Sequence, residues 1–209
     1  MTPREADARS VIAALRPDGG AIAKFEILAQ MLRDENAVQN LVSAASLDDI
    51  WQRHFFDSTQ LLTHVPRGTS PWLDLGTGAG FPGLALAIVQ SEREFHLVES
   101  RALRSAWLAR VVAELELANV RVIAEPLEKM PSASFGVISA RAFAPLPRLL
   151  KLAARFSTSD TAWVLPKGRS AAQELAELHG WDHMFHVEQS LTDPASGIIV
   201  GRLLGKKGR

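Results

Sequence analysis

Apolar residues recur at helical spacing through the first seventy residues. Residues 21–35 carry apolar side chains on one helical face, and residues 4–15 form a shorter amphipathic segment that ends before Pro17. A third helix is predicted to start after Ser46, which is a plausible N-cap. This part of the chain is therefore expected to be entirely helical.

The periodicity changes after a turn-rich segment at residues 64–71. The predicted strands are Trp72–Leu75, Phe95–Val98 and residues 120–124, 135–139, 162–165, 184–189 and 198–204. The predicted helices are residues 83–90, 103–117, 146–156 and 170–179. Alternating strands and helices indicate an α/β fold with a mostly parallel sheet, helices on both faces and an antiparallel C-terminal edge. We therefore divide the chain into a small N-terminal helical lobe, residues 1–70, and an α/β domain, residues 71–209.

Composition narrows the class of protein. The chain has 209 residues, 47% of them apolar, which is enough for one sizeable core. It has no cysteine, which excludes disulfides and thiolate metal sites, and no metal site is expected. No apolar run approaches the roughly 20 residues of a membrane-spanning helix, and no signal peptide is evident. We expect a cytoplasmic protein without a membrane partner, and nothing requires more than a monomer.

Charge is distributed unevenly along the chain, although the formal net charge is zero. Residues 1–100 hold eight basic and thirteen acidic side chains, and residues 101–209 hold fifteen and ten. Asp160 is the single acid between residues 141 and 169, a stretch that has six basic residues, and the C-terminal residues add three more. This asymmetry permits an RNA partner, although an ordinary solvated face would look the same.

A glycine-rich turn is the strongest local motif. In WLDLGTGAGFPG a strand ends at Leu75, glycines follow at positions 76, 78, 80 and 83, and a helix begins directly afterwards. Such turns let a ligand approach the backbone at the carboxyl end of a strand. Glu99 ends the next strand 21 residues after Gly78, where an acid can hold a ribose hydroxyl. The spacing fits both NAD and S-adenosylmethionine.

Several short strings occur in one order between about residues 40 and 170. They are NL at residues 40–41, RHFFDS at 53–58, DLGTGAGFPGLALAI at 74–88, ISARAF at 138–143 and LPKG at 165–168. Together they resemble the RsmG (GidB) family, the 16S ribosomal RNA guanine-N7 methyltransferases. Two positions depart from the family pattern: Pro126 replaces a basic residue that many members have, and ISARAF is one residue longer than ISRAF.

The resemblance implies a class I methyltransferase (Rossmann-like) fold and S-adenosyl-L-methionine as cofactor. Asp74 would assist the methionine end of the cofactor, Glu99 would hold the ribose, and Leu127 and Glu128 would lie beside the adenine and ribose. The implied cofactor-binding residues are Asp74, Gly76, Gly78, Gly80, Phe81, Glu99, Leu127, Glu128 and Arg141. The implied substrate is N7 of a guanine in 16S ribosomal RNA of the small ribosomal subunit.

Three residues are candidates for a role in catalysis. Arg141 could pair with a phosphate or the cofactor carboxylate, Lys167 could meet an RNA phosphate, and His54 lies on an apolar helix face. Guanine N7 has an in-plane lone pair, so no general base is needed, and positioning would dominate. The alternatives are a methyltransferase acting on another RNA or a small molecule, an NAD-dependent oxidoreductase, and a non-enzymatic ribosome-binding protein.

Overall fold

Strands and helices alternate from Trp72 to Ala176, with a 3-10 turn in place of one helix at Leu127–Lys129, and four strands follow between Trp181 and Lys206. The computed structural model describes residues 3–16 and 20–208, so Pro17 and Arg209 lie outside the described part. The helices are α1 (Pro3–Leu15), α2 (Gly20–Asn36), α3 (Ala44–Asp48), α4 (Asp57–Thr59), α5 (Gly83–Val89), α6 (Ala102–Glu114), α7 (Leu146–Ala153) and α8 (Ala171–Ala176). The strands are β1 (Trp72–Leu75), β2 (Phe95–Val98), β3 (Val120–Ile123), β4 (Val137–Ala140), β5 (Ala162–Gly168), β6 (Trp181–His183), β7 (His186–Gln189), β8 (Gly197–Gly201) and β9 (Leu203–Lys206). A π-helical turn occupies Trp51–Phe56, and 3-10 turns occupy Gln60–His64, Leu127–Lys129 and Ala154–Phe156.

The main sheet has the strand order β3-β2-β1-β4-β5-β8-β7. The first five strands are parallel, and β8 is antiparallel to both of its neighbours. This arrangement confirms the predicted α/β fold with an antiparallel edge. The strand order reverses between β1 and β4, and ligands bind at the carboxyl ends of strands on either side of such a point.

Burial explains why β1 and α5 form at the centre. All four residues of β1 are buried, as expected for a central strand of a parallel sheet with both faces covered. All seven residues of α5 are buried too, because α2 and α4 cover the side of α5 that faces away from the sheet. The glycine-rich turn between β1 and α5 is thus held at both ends by buried elements.

Two hydrophobic clusters line the two faces of the sheet. One face carries the N-terminal helices together with α5 and α6, and Phe25 and Phe55 belong to the same cluster as Trp72. The other face carries α7 and the C-terminal residues Trp181 and Leu203. The N-terminal helices therefore share a hydrophobic core with the sheet, and the division of the chain at residue 70 stays a prediction.

Some predicted element boundaries were wrong. The predicted strand at residues 198–204 splits at Arg202: its first part is β8, and its last two residues begin β9, which pairs with the unpredicted strand β6 in a separate two-stranded sheet. Ser46 lies inside α3 and is not its N-cap, because the helix begins at Ala44 after Ser43.

No helix in the described part of the chain is long and apolar enough to cross a membrane.

Candidate active site

The glycine-rich turn approaches its neighbours too closely for a side chain at three positions, Gly76, Gly80 and Gly83. Gly76 has φ +61°, and a Cβ there would lie 2.3 Å from Cδ2 of Phe143. A Cβ at Gly83 would lie 2.1 Å from Leu97 and 2.9 Å from the Asp74 carboxylate. The glycines therefore allow a ring and a buried carboxylate to pack directly on the backbone.

Asp74 is fully buried behind this turn. Its Oδ2 accepts a hydrogen bond from the backbone N–H of Gly83 at 3.0 Å, and its Oδ1 accepts one from Ser139 Oγ at 2.7 Å. Ser139 Oγ in turn accepts a hydrogen bond from Trp72 Nε1 at 2.8 Å. Burial raises the pKa of Asp74 to about 6, although these hydrogen bonds oppose the shift. Asp74 thus joins β1, β4 and the start of α5.

A cavity of about 240 Å³, which we call the loop cavity, opens beside the turn at the carboxyl ends of β1 and β2. Glu99 lines it and accepts backbone hydrogen bonds from Gly78 at 3.2 Å and Arg101 at 2.8 Å. The lining residues are Gly76, Val98, Glu99, Ser100, Arg101, Arg104, Glu125, Leu127, Ala142 and Phe143. The loop cavity combines apolar walls with carboxylates and cations.

The predicted cofactor residues are only partly brought together around the loop cavity. Gly76, Glu99 and Leu127 line it, whereas Glu128 is exposed outside it. Asp74, Gly78, Gly80 and Phe81 do not line the loop cavity. Sequence reasoning missed Glu125, which does line the loop cavity and lies two residues before Leu127. The available signal was the position of Glu125 shortly after β3, because the carboxyl end of β3 lies at the same edge of the sheet as the carboxyl ends of β1 and β2.

A larger cavity of about 720 Å³, which we call the strand-end cavity, lies beyond β4 and β5 and brings together the three predicted catalytic residues His54, Arg141 and Lys167. Arg141 Nη2 donates to His54 Nδ1 at 3.3 Å, and Arg141 Nη1 lies 3.6 Å from Asp57 Oδ2. Because Nδ1 accepts, the other nitrogen of His54 donates to Ser46 Oγ at 2.9 Å. Arg141 is therefore held in place by two partners.

His54 is buried and stacks on Phe81, with ring centroids 5.0 Å apart. Burial lowers the pKa of His54 to about 3, and the nearby cations Arg141 and Arg53 add to the shift. The imidazole is neutral at physiological pH, and both of its nitrogens have partners. His54 is therefore placed to orient Arg141 and has no nitrogen left to exchange a proton with a substrate.

Lys167 is also held inside the protein. Its Nζ donates to the carbonyl of Ala144 at 2.6 Å and lies 2.9 Å from Glu174 Oε2, and only 8% of its side chain is exposed. Glu174 Oε2 also accepts the backbone N–H of Leu146 at 2.8 Å. This pair fixes the segment between β4 and α7, and the predicted contact of Lys167 with RNA phosphate stays a prediction.

Phe143 and Ala142 form a wall between the two cavities, since both residues line both of them. Ala142 has φ +52°, a conformation that costs a non-glycine residue free energy. The sequence analysis includes Phe143 in the ISARAF string and predicts no role for it. The Phe143 ring lies against Gly76, and Ala142 and Phe143 together separate the loop cavity from the strand-end cavity.

Comparison with known proteins decides the family. The family model GidB, described as rRNA small subunit methyltransferase G, matches residues 21–193. The chain belongs to this family. The GidB resemblance predicted from the sequence is thus confirmed, and it extends beyond residues 40–170.

Curated relatives carry the same description as the GidB family model. Ribosomal RNA small subunit methyltransferase G of Novosphingobium aromaticivorans is 56% identical, with 92% of this chain and 85% of the relative aligned. The protein of that name from Erythrobacter litoralis is 53% identical over 97% of this chain and 98% of its own length.

Solved structures confirm the predicted class I methyltransferase fold. A SAM-dependent methyltransferase from Aquifex aeolicus superposes with a TM-score of 0.59 at 15% identity, covering 81% of this chain and 97% of that one. The O-methyltransferase TomG from Streptomyces achromogenes, solved in complex with SAM, gives 0.57 at 16% identity, covering 87% and 90%. At these identities the likeness concerns the fold.

Proposed function

We propose that this chain transfers a methyl group from S-adenosyl-L-methionine to N7 of a guanine in 16S ribosomal RNA of the small ribosomal subunit. The observation that carries the proposal is the pair of cavities that share the wall of Ala142 and Phe143 at the carboxyl ends of the strands. One cavity has the residue types that hold a nucleoside cofactor, and the other has room for a base. The family and its relatives supply the substrate class.

The residues of the loop cavity fit the cofactor. Glu99 offers a carboxylate to ribose hydroxyls, and Val98 and Leu127 offer apolar walls to the adenine. Arg101 and Arg104 add positive charge to the same wall. The residue types on the cavity wall therefore suit the ribose and the adenine of S-adenosylmethionine.

The same turn fits a dinucleotide poorly. In dinucleotide-binding folds the pyrophosphate lies at the N-terminus of the helix after the glycines. Here the backbone N–H of Gly83, at the start of α5, already donates to the buried Asp74 carboxylate at 3.0 Å. A pyrophosphate at this point would meet a like charge in a desolvated site. Asp74 therefore favours S-adenosylmethionine over NAD, the alternative that the spacing left open.

The protein's part in the reaction is to position the substrates and to exclude water. S-adenosylmethionine supplies an electrophilic methyl group, and guanine N7 is a nucleophile that needs no deprotonation. Accordingly, His54 and Lys167 have internal partners and are not needed as bases. Arg141, fixed by Asp57 and His54, presents its charge at the strand-end cavity, where a phosphate or the cofactor carboxylate can pair with it.

The test is transfer of tritiated methyl to small ribosomal subunits from a strain that lacks this protein, followed by chemical cleavage at N7-methylguanine. A single new cleavage in 16S RNA is expected. Glu99→Gln should lower the transfer rate at limiting cofactor, whereas Glu114→Gln, a matched change at an exposed glutamate of α6, should leave it unchanged. Tritium in RNA without the cleavage would contradict the N7 assignment, and no tritium in RNA would contradict an RNA substrate.

A further inference from the structure

A basic surface lies outside the two cavities. A groove of about 390 Å³ runs between the end of α7 and β9, and we call it the basic groove. Its lining includes the cations Lys151, Arg155 and Lys206 and the hydroxyl residues Ser157, Thr158 and Ser159. Among the described residues that line it, none is an acid.

The two basic stretches seen in the sequence meet in this groove. Lys151 belongs to the basic stretch between residues 141 and 169, and Lys206 belongs to the C-terminal one. The unpredicted pairing of β6 with β9 brings them together, because Lys206 pairs with Trp181 in the register of that sheet. The Lys206 ammonium lies 5.7 Å from the Trp181 ring centroid. Folding thus converts a sequence asymmetry into a local concentration of positive charge.

The two lysines of the groove carry positive charge that can attract an anionic partner. Lys151 and Lys206 are exposed, and neither takes part in a salt bridge within residues 3–16 and 20–208. Asp160, the single acid of the 141–169 stretch, lies 3.6 Å from Arg202 instead. The positive charge of the two lysines is therefore not neutralised within this part of the protein.

The groove is one side chain away from the loop cavity. Arg155 lines the groove, and its Nη2 donates to the carbonyl of Leu127 at 2.6 Å. Leu127 in turn lines the loop cavity. An RNA strand lying in the groove would therefore pass close to the loop cavity.

We propose that the basic groove binds phosphates of the ribosomal RNA backbone, an inference that rests on the proposed function. Lysine, arginine, serine and threonine are among the residues that contact phosphate, and such contacts position a nucleic acid without reading its sequence. The groove, with three cations and three hydroxyl residues, supplies all four types.

The experiment measures the KM of undermethylated small subunits at several KCl concentrations for the wild type and Lys151→Ala/Lys206→Ala. Each lost phosphate contact should reduce the slope of log KM against log salt by about 0.7–0.9, so the double variant should lose about 1.4–1.8. If the two contacts contribute nothing at 1 M salt, the same relation gives a KM about 25–60 times higher at 0.1 M salt, with kcat and S-adenosylhomocysteine affinity unchanged. The matched control is Arg4→Ala/Arg33→Ala, which removes two exposed cations from helices on the opposite face of the sheet.

The outcomes separate the two proposals. A double variant with the slope and KM of the wild type would overturn the groove assignment, and so would an equal effect in the control variant. A KM effect that is present with intact subunits and absent with protein-free 16S RNA would assign the groove to an acidic ribosomal protein, against our proposal. If the wild type transfers no methyl to the subunits, it is the proposed function that fails.

Discussion

Asp74 and Gly76 show how single residues shape the glycine-rich turn. Asp74 places a buried carboxylate against the first N–H of α5. Gly76 has no side chain, and the Phe143 ring can therefore lie directly on its backbone. Sequence reasoning identified both positions from the motif. It could not show that Asp74 is fully enclosed, because the enclosing group Ser139 comes from β4, 65 residues away.

Asp74→Asn should remove the part of the pH dependence of stability that comes from the Asp74 carboxyl group. The pKa of Asp74 is raised from 3.8 to about 6 in the folded protein, so the folded state binds this proton more tightly. The stability that this proton gives is present below pH 3.8 and is lost as the pH rises through about 6. The loss amounts to about 3 kcal/mol. Urea unfolding from pH 4 to 7 measures it, as the difference between wild type and variant.

In that comparison the wild type should lose free energy of unfolding relative to Asp74→Asn across the pH window. A difference that stays constant would mean that Asp74 titrates normally. Ser139→Ala, which removes one hydrogen bond to the carboxylate, should push the pKa of Asp74 higher and widen the window.

Gly76→Ala and Gly68→Ala form a matched pair for the wall between the cavities. Both glycines have positive φ, +61° and +79°, so each substitution carries a backbone cost of about 1 kcal/mol. A Cβ at Gly68 meets nothing within 4 Å, whereas one at Gly76 meets the Phe143 ring. Gly76→Ala should therefore be less stable than Gly68→Ala and should also weaken S-adenosylhomocysteine binding, measured by calorimetry. Equal affinities would show that the ring position does not matter to the loop cavity.

At the scale of elements, the segment between β4 and α7 depends on α8. The Lys167 ammonium is bound to the carbonyl of Ala144, and Glu174 of α8 holds both that ammonium and the first N–H of α7. One ion pair thus connects the end of β5, the start of α7 and α8. The strained Ala142 lies in the segment that this pair fixes.

A double-mutant cycle on Lys167→Met and Glu174→Gln tests that connection. Since Lys167 is nearly enclosed, we expect a coupling free energy of about 1–3 kcal/mol in urea unfolding. The salt dependence of KM distinguishes the other role predicted for Lys167. If Lys167 contacts an RNA phosphate, the slope of log KM against log salt should be lower by about 0.7–0.9 in Lys167→Met than in the wild type. A coupling near zero together with such a fall would support the phosphate contact over the internal one.

The elements that the sequence predicted correctly are those with a strong local signal. Strands β1 and β2 are short, mostly apolar segments followed directly by a glycine or an acid, and both were predicted with their exact bounds. Strand β6 is three residues long and contains a Trp, an Asp and a His, so no alternation revealed it. The π-helical turn at Trp51–Phe56 has no local signal either. These features depend on partners that are distant in sequence.

For the whole molecule, the N-terminal helices and the sheet form one hydrophobic core. Phe25 of α2 is fully buried, with its ring centroid 4.6 Å from that of Phe55, and Phe55 in turn lies 6.0 Å from Phe81 of the glycine-rich turn. Packed rings therefore connect the first helices to the turn. Composition could not predict this, because it shows which residues are apolar and not which faces meet.

The chain should therefore unfold in a single transition. Phe25→Ala should cost about 3–5 kcal/mol and lower the midpoint of the entire transition, because the cavity it leaves lies in the shared core. Ile27→Ala on the same helix, where the side chain is 41% exposed, should cost far less. Scanning calorimetry measures both. Two separate transitions, with only one shifted by Phe25→Ala, would support independent units divided at residue 70.

The shared core also has a consequence for the synthesis of the protein. Helix α2 ends at Asn36, but α5, against which it packs, is not complete until Val89. At about 5–20 residues per second, the ribosome needs roughly 3–10 s to make the intervening chain. During that interval the apolar side chains of α2 lack part of their cover, so the nascent chain is more prone to aggregate than the finished protein. Slowing translation between these two helices would prolong that exposure.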